Sequence, residues 1–206
     1  GEAHYNDYAI LYRTNAQSRV LEEKFVAQSV PYKIVGGINF YQRREIKDIL
    51  AYLKTIDNGQ DDLAVRRIIN VPKRGICLTT LNRITEYGEA REMSFFDALE
   101  CCEDIPKLGK AAEKIKSFVN MIEVFRAQSE YITLAELFTN VLEETGYIKE
   151  LEAEDSEVAQ GRIENIDELM NKIIAYEEEE DEPTLSGFLE NVALVSDIDS
   201  LDEEED

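Results

Sequence analysis

Residues 69–81 read Ile69-Asn70-Val71-Pro72-Lys73-Arg74-Gly75-Ile76-Cys77-Leu78-Thr79-Thr80-Leu81, which places a basic glycine turn between two segments of helical periodicity. A helix that stops near a proline and restarts after a glycine leaves its first backbone N–H groups without intrahelical partners. Those groups carry partial positive charge and suit a phosphate. With Lys73 and Arg74 beside Gly75, the turn is predicted to hold a nucleic-acid backbone without reading bases. In this interpretation the amides of Gly75 and Ile76 face solvent.

Apolar residues recur at helical spacing along most of the chain after residue 36. Four stripes show it: Ile46, Ile49, Leu50, Leu53 and Ile56; Ile115, Phe118, Val119, Ile122 and Phe125; Leu134, Leu137, Phe138 and Val141; Ile163, Ile166, Leu169, Met170 and Ile173. Capping boxes at Ser94 and Thr133 mark helix starts, and Gly88 and Gly146 suit left-handed C′ positions. The prediction is a mainly α protein, with a globular domain of about seven to nine helices over residues 36–196.

Residues 1–35 follow a different pattern, which reads strand, helix, strand. The runs 8–12 and 31–35 are short, apolar and typical of buried strands, and the stretch 17–28 between them is amphipathic. Two parallel strands and one helix cannot cover both faces of a sheet. This stretch is therefore predicted to be a small, incomplete α/β segment attached to the helical domain.

Charge is unevenly distributed along the chain, which has a net charge of −22. Residues 143–206 hold 24 of the 44 acidic side chains, whereas residues 43–83 hold nine basic side chains against five acidic ones. Because the positive region surrounds the glycine turn, the overall negative charge does not exclude a nucleic-acid partner. The acidic blocks 177–182 and 197–206 are predicted to be unstructured, the second as a flexible tail.

Several classes of protein and site find no support in the sequence. There is no run of about 18 apolar residues and no signal-peptide pattern, which favours a cytoplasmic protein without a membrane span. Cys77, Cys101 and Cys102 lack metal-ligand spacing and are predicted to be free thiols. No metal site is predicted. No nucleophile with a neighbouring base can be assembled, so no catalytic residue is predicted either.

Three stretches, taken in order and spacing, resemble the UvrD/PcrA/Rep group of superfamily 1 DNA helicases. They are Ala9-Ile10-Leu11-Tyr12-Arg13-Thr14-Asn15-Ala16-Gln17-Ser18-Arg19; Tyr32-Lys33-Ile34-Val35-Gly36-Gly37 leading to Phe40-Tyr41 and Glu45-Ile46-Lys47-Asp48; and Asn70-Val71-Pro72-Lys73-Arg74-Gly75-Ile76. The resemblance runs over essentially the whole chain. It implies that residues 1–35 begin the family's subdomain 2A and that residues 36–196 form its helical subdomain 2B.

The resemblance also implies DNA-binding residues. Arg13 and Asn15 match family positions on the path of single-stranded DNA. Gly75 and Ile76 match a turn that touches the duplex through backbone amides, with Thr80 at a nearby hydroxyl position. Lys73 and Arg74 accompany this turn. Cys77 stands where the family has a glycine, a departure that restricts the close backbone approach a second glycine permits.

A family member of this kind is an ATP-dependent 3′→5′ DNA helicase that acts in unwinding, repair and replication. The implied partners are single-stranded and duplex DNA and the remaining helicase subdomains. ATP and Mg²⁺ belong to the parent protein, because this chain has no Gly-x-x-x-x-Gly-Lys-[Ser/Thr] loop; Gly109-Lys110 lacks the first glycine and the hydroxyl. The chain alone is predicted to bind no cofactor and to be inactive as an ATPase.

Structural explanations stand beside these functional ones. Arg13 can pair with a surface carboxylate, Asn15 can cap the helix that follows, and the Gly75 turn can be an ordinary corner between helices. The alternative function is an autoinhibitory or protein-interaction module, in which the acidic residues 143–206 repel DNA or bind basic partners. A free-standing DNA mimic is disfavoured because the negative charge is concentrated at one end.

Overall fold

The structure is a computed structural model that describes residues 4–13, 15–34 and 39–204, without the side chains of residues 15, 16, 19 and 198–204. Ten α-helices account for most of these residues. They are α1 (Asn15–Ala27), α2 (Arg44–Asp57), α3 (Asp62–Ile68), α4 (Leu78–Glu89), α5 (Phe95–Glu100), α6 (Ala111–Ser129), α7 (Leu134–Thr145), α8 (Tyr147–Glu154), α9 (Glu157–Glu179) and α10 (Leu185–Glu204). Three short 3-10 helices, Tyr5–Asp7, Phe40–Gln42 and Cys102–Asp104, complete the described elements. The mainly α prediction is confirmed.

The strand prediction for residues 8–12 and 31–35 is wrong for the described residues. Neither 8–12 nor 31–34 forms a strand, and residue 35 lies outside the described residues. A strand must take its hydrogen bonds from a neighbouring strand, whereas a helix completes its own. Leu11 is 95% exposed, so no residue that the structure describes covers this apolar side chain.

The buried residues form two apolar clusters, and α2 contributes to both. Tyr52 and Ile56 of α2 pack with α3 to α7 in the first cluster, which is centred on α6. Ile49 and Leu53 pack with α7 to α10 in the second, which is centred on α9. All five apolar residues of the predicted α2 stripe are buried, as helical periodicity requires of a central helix.

A polar network reinforces the packing of α2. Asp48 is buried and accepts hydrogen bonds from Arg67 Nε of α3 at 2.8 Å and from the Tyr147 hydroxyl of α8 at 2.7 Å. One turn earlier, Glu45 accepts from Asn165 Nδ2 of α9 at 2.6 Å. Burial beside the Asp48 carboxylate raises the pKa of Tyr147 far above its usual range, so the phenol stays protonated and remains a donor. These bonds fix α2 relative to three other helices.

The predicted helix signals hold with two exceptions. Thr133 and Glu136 form the capping box of α7, and Gly146 ends α7 with a left-handed φ of 72°. At Ser94 only half of the predicted capping box is present: the Ser94 side chain accepts the Asp97 N–H at 3.1 Å, and the described structure has no return bond from Asp97. The prediction that Gly88 ends a helix in the same way is wrong, because this residue lies inside α4. There a Cβ would meet Ala98 Cβ at 3.1 Å, so this glycine serves the close approach of α4 and α5.

The acidic blocks are more helical than predicted. α9 continues to Glu179 and α10 to Glu204, although the sequence predicts unstructured segments from residues 177 and 197. Thr184 holds the start of α10 by accepting a hydrogen bond from Gly187 N–H at 3.0 Å, and Phe188 and Val192 are buried. Once a helix is nucleated, each further residue costs little, and glutamate and leucine favour its extension.

Candidate nucleic-acid interface

The Gly75 turn connects α3 to α4 and is anchored at both ends. Ile68 and Ile69 are fully buried before it, and Ile76 is 3% exposed after it. Between these anchors Lys73 and Gly75 are exposed. Gly75 has a φ of 72°, a left-handed conformation that suits glycine and lets the chain reverse into α4.

Asn70 closes the turn from inside. Its Oδ1 accepts the Ile76 N–H at 3.0 Å, and its Nδ2 donates to the Ile76 carbonyl at 2.7 Å. The prediction that the Ile76 amide faces solvent is therefore wrong, because the side chain six residues earlier satisfies both backbone groups of Ile76. Within the described part of the chain, the Gly75 N–H has no protein acceptor and remains available.

Arg74 points inward, although the sequence placed it beside an anion pocket. Its Nη1 donates to the carbonyls of Ile68 at 2.7 Å and Ile69 at 3.0 Å, where α3 ends and the negative end of the helix dipole attracts a cation. Its Nη2 donates to the Tyr52 hydroxyl at 2.6 Å, and its guanidinium lies 5.0 Å from the centre of the Phe118 ring. Arg74 therefore holds the turn onto the core, and its side chain is occupied internally.

Two lysines occupy the outer side of the turn. Lys73 is exposed and has no ion pair with any residue that the structure describes. Lys114 of α6 is exposed and places its Nζ 3.2 Å from the Gly75 carbonyl oxygen. Lys114 is absent from the predicted site residues because 39 residues separate it from Gly75 in the sequence. The available signal was weak: Lys110 and Lys114 are four residues apart and share one helical face.

Further cations extend this surface. Arg83 of α4 donates from Nη1 to the Lys107 carbonyl at 2.7 Å, which brings α4 next to the segment that leads into α6. We give the name basic face to the cations of the Gly75 turn, of α4 and of the segment at the start of α6, which are Lys73, Arg83, Lys107, Lys110 and Lys114. On one side, Lys73 lines a cavity of about 290 Å³ together with Glu150 and Glu154 of α8, so acidic side chains border the basic face.

Thr80 and Cys77 interact with each other at the start of α4. Cys77 is the exposed residue that precedes the helix, and its Sγ lies 3.2 Å from the Thr80 hydroxyl oxygen. That hydrogen bond, with the nearby N–H groups of Thr79 and Thr80, lowers the pKa of the Cys77 thiol. Thr80 is 4% exposed, so the hydroxyl named by the resemblance faces the protein interior.

The predicted single-strand residues lie near the start of α1. Arg13 is exposed, and its backbone N–H donates to Gln17 Oε1 at 2.9 Å. Asn15 is the first residue of α1, and its side chain lies outside the described residues. The described structure contains no contact that joins Arg13 to the basic face. It therefore groups Lys73 and Gly75 with Lys114, and leaves Arg13 and Asn15 in a separate segment.

The sites that ATP and Mg²⁺ require have features that can be recognised in a sequence and in a structure. The loop that would cradle ATP phosphates is absent from the sequence, and Gly109-Lys110 instead precedes α6. Among residues 4–13, 15–34 and 39–204, no cluster of three or more His, Cys, Asp or Glu side chains could hold a metal ion. In the same residues, no helix combines the length and the apolar character needed to cross a bilayer.

Comparison with known proteins identifies the family of this chain and several similar proteins. The family profile of the UvrD-like helicase C-terminal domain matches residues 1–206. The chain is 45% identical over 206 residues to the ATP-dependent DNA helicase PcrA of Bacillus subtilis, covering all of this chain and 28% of that protein. It is 44% identical over 200 residues to PcrA of Staphylococcus epidermidis and 43% identical over 202 residues to PcrA of Staphylococcus aureus. These matches cover 96% and 97% of this chain and 27% and 28% of the relatives.

Proposed function

Because this chain belongs to the UvrD-like helicase C-terminal domain family, we propose that it is a DNA-binding accessory region of an ATP-dependent 3′→5′ DNA helicase. In this proposal the helical part of the chain contacts the backbone of duplex DNA. One observation carries it: Lys73 and Lys114 lie beside the exposed Gly75 in a chain whose net charge is −22.

The proposed contacts are a backbone amide and several cations. The Gly75 N–H donates to a phosphate oxygen, while Lys73 and Lys114 neutralise that phosphate or the next one. Lys110 lies one turn from Lys114 and extends the contact along the strand. Such contacts are independent of base sequence and weaken steeply with salt, because binding releases counterions from the DNA. In this proposal the turn is held in its conformation by residues that do not contact DNA, namely Arg74, Ile76 and Thr80.

The rest of the helicase activity lies outside this chain in the proposal. ATP hydrolysis needs a phosphate loop and Mg²⁺ ligands, and the sequence has no such loop. The chain spans 27–28% of the PcrA relatives, and we propose that the remaining helicase subdomains supply the motor. Arg13 and Asn15 are proposed to contact the single strand beside that motor. The parent helicase would act in DNA repair and replication.

The test is a fluorescence anisotropy titration with a duplex that carries a single-stranded tail, at several salt concentrations. The variant Lys73→Gln/Lys114→Gln is expected to bind more weakly. The slope of log affinity against log salt should fall by about 0.9 for each phosphate that the variant no longer neutralises. Lys116→Gln is the matched control, because Lys116 lies on the same helix but pairs with Glu103. Binding that is equally strong and equally salt-dependent in the double variant would refute the proposal.

A second candidate function, autoinhibition, is favoured by the position of α8. Glu150 and Glu154 line the same cavity as Lys73, together with Arg44 and Arg162. Glu154 pairs with Arg162 at 3.8 Å, so the charge of Glu150 is the one that opposes a phosphate there. In this alternative, the acidic helices limit DNA binding until a partner neutralises them. Glu150→Gln would then raise duplex affinity well above that of Glu152→Gln, which changes the same charge on the same helix away from the cavity. Equal affinities for the two variants would exclude this alternative.

A further inference from the structure

We propose that Asn70 is a positioning residue for duplex binding, because its side chain holds the Gly75 turn in the conformation that binds phosphate. This inference rests on the proposed function. Asn70 itself does not contact DNA. Its amide oxygen and nitrogen are both used by Ile76, at 3.0 and 2.7 Å, and the residue is half-buried.

The two hydrogen bonds resemble those between neighbouring β-strands, because one amide group bonds to both the N–H and the C=O of a single residue. A side-chain amide offers one acceptor and donors in one plane, and it meets the N–H and the C=O of a single residue together. The orientation of the amide follows from this pairing, because only one assignment of its oxygen and nitrogen satisfies both groups. We call these two hydrogen bonds between the Asn70 side chain and the Ile76 backbone the clasp. The clasp closes a loop in which five residues, 71 to 75, separate Asn70 from Ile76.

The clasp and Arg74 together restrict the conformation of the exposed residues Lys73 and Gly75, which form the apex of the turn. Arg74 ties the turn to the end of α3 through the carbonyls of Ile68 and Ile69. Ile76 is anchored in the first apolar cluster. Between these fixed points only Lys73 and Gly75 are exposed, and Lys114 reaches the Gly75 carbonyl from α6. The conformation of the binding surface is thus set by bonds that face the interior.

Positioning has a consequence that simple stabilisation lacks. When the competent conformation is only a fraction of the population, the apparent affinity falls by that fraction. Without the clasp the apex samples other conformations, so affinity falls while every cation is still present. The salt slope, which reports how many phosphates are neutralised, stays the same.

The experiment compares Asn70→Ala with the wild-type chain under the titration conditions given above. We expect the duplex affinity of Asn70→Ala to fall by about tenfold with an unchanged salt slope, if the competent fraction drops to about a tenth. Hydrogen exchange of the Ile76 amide should accelerate, while the amides at the centres of α6 and α9 keep their protection. Asn58→Ala is the matched control, because Asn58 also closes a turn, accepting from Gln60 N–H at 2.9 Å, but outside the basic face.

Other outcomes would overturn the proposal. A folded Asn70→Ala variant with wild-type affinity would show that the clasp serves stability alone. A reduced salt slope would mean that the variant neutralises fewer phosphates, which a smaller competent fraction alone does not produce. If Asn70→Ala does not fold, Asn70→Ser, which retains one hydroxyl, takes its place; failure of both to fold would assign Asn70 to folding only. Should Lys73→Gln/Lys114→Gln keep full binding, the proposed function itself fails, whereas weaker binding there with normal Asn70→Ala binding removes only the positioning role.

Discussion

The inner and outer layers of the Gly75 turn both contain basic side chains, but these side chains serve different purposes. In the inner layer, Arg74 and Asn70 are bonded to backbone groups and hold the turn onto the core. In the outer layer, Lys73 and Lys114 surround an exposed glycine. Neighbouring cations in the sequence, Lys73 and Arg74, therefore belong to different layers.

The difference shows that basic character alone does not identify a contact residue. A guanidinium has five donors in a rigid plane, and it is suited to collect several carbonyls at a helix end. A lysine ammonium is a point charge on a flexible stem and more readily remains in water. We therefore expect substitutions in the inner layer to lower stability and to change DNA affinity only through the conformation of the turn. Substitutions in the outer layer should lower DNA affinity directly.

The largest expected effect belongs to the inner layer. Arg74→Ala leaves the Ile69 carbonyl without its donor and leaves the Ile68 carbonyl with only the Val71 N–H. It also removes the cation beside Phe118. The free energy of unfolding should fall by about 3 kcal/mol, measured by urea denaturation. Lys73→Ala, one residue away, should change it by less than about 0.5 kcal/mol. If Arg74→Ala and Lys73→Ala lowered the free energy of unfolding equally, the distinction between the inner and outer layers would be wrong.

Gly75 lies at the boundary of the two layers, and Gly75→Ala should affect both properties. A φ of 72° costs an alanine about 1–2 kcal/mol, and its Cβ would meet Lys114 Nζ at 3.0 Å. Gly146→Ala is a matched control, because Gly146 has the same φ and nothing within 4 Å of the added Cβ. Thermal unfolding should show similar losses for both. Only Gly75→Ala should weaken duplex binding; a parallel loss in Gly146→Ala would contradict this.

The smallest effect concerns thiol reactivity. The Thr80 hydroxyl lowers the pKa of the exposed Cys77, whereas burial raises the pKa of Cys102. Alkylation followed by mass spectrometry should therefore modify Cys77 first, with a rate that rises at lower pH than for an ordinary thiol. Thr80→Val should move that rise to higher pH. Bound duplex should slow the alkylation of Cys77 if the outer layer contacts DNA, and equal rates with and without duplex would count against that contact.

The helices were predictable because their signals are local. The stripes of α2 and α6 follow from periodicity, and the cap of α7 follows from four residues, Thr133 to Glu136. The strand prediction failed because a strand depends on a neighbouring strand, and residues 4–13, 15–34 and 39–204 contain none. The Gly88 prediction failed because a glycine can serve close helix packing as well as a helix end.

The candidate site was predictable only in part, for a related reason. Gly75 and Lys73 could be identified because proline, glycine and charge mark an exposed turn. The Arg74 side chain points inward because it bonds to the end of α3 and to Tyr52 of α2. No pattern within residues 69–81 indicates either partner. Lys114 is brought to Gly75 by the packing of α6. Its contribution is a property of the tertiary structure.

The shared position of α2 has a consequence for cooperativity. Asp48 and Tyr52 lie one turn apart on this helix; the first is bonded to α3 and α8, and the second to the Gly75 turn. Because α2 belongs to both apolar clusters, loss of structure in one cluster disrupts α2 and therefore also the other cluster. The helical region should therefore melt as one unit with a single calorimetric transition, and the amides at the centre of α2 should exchange only through global unfolding.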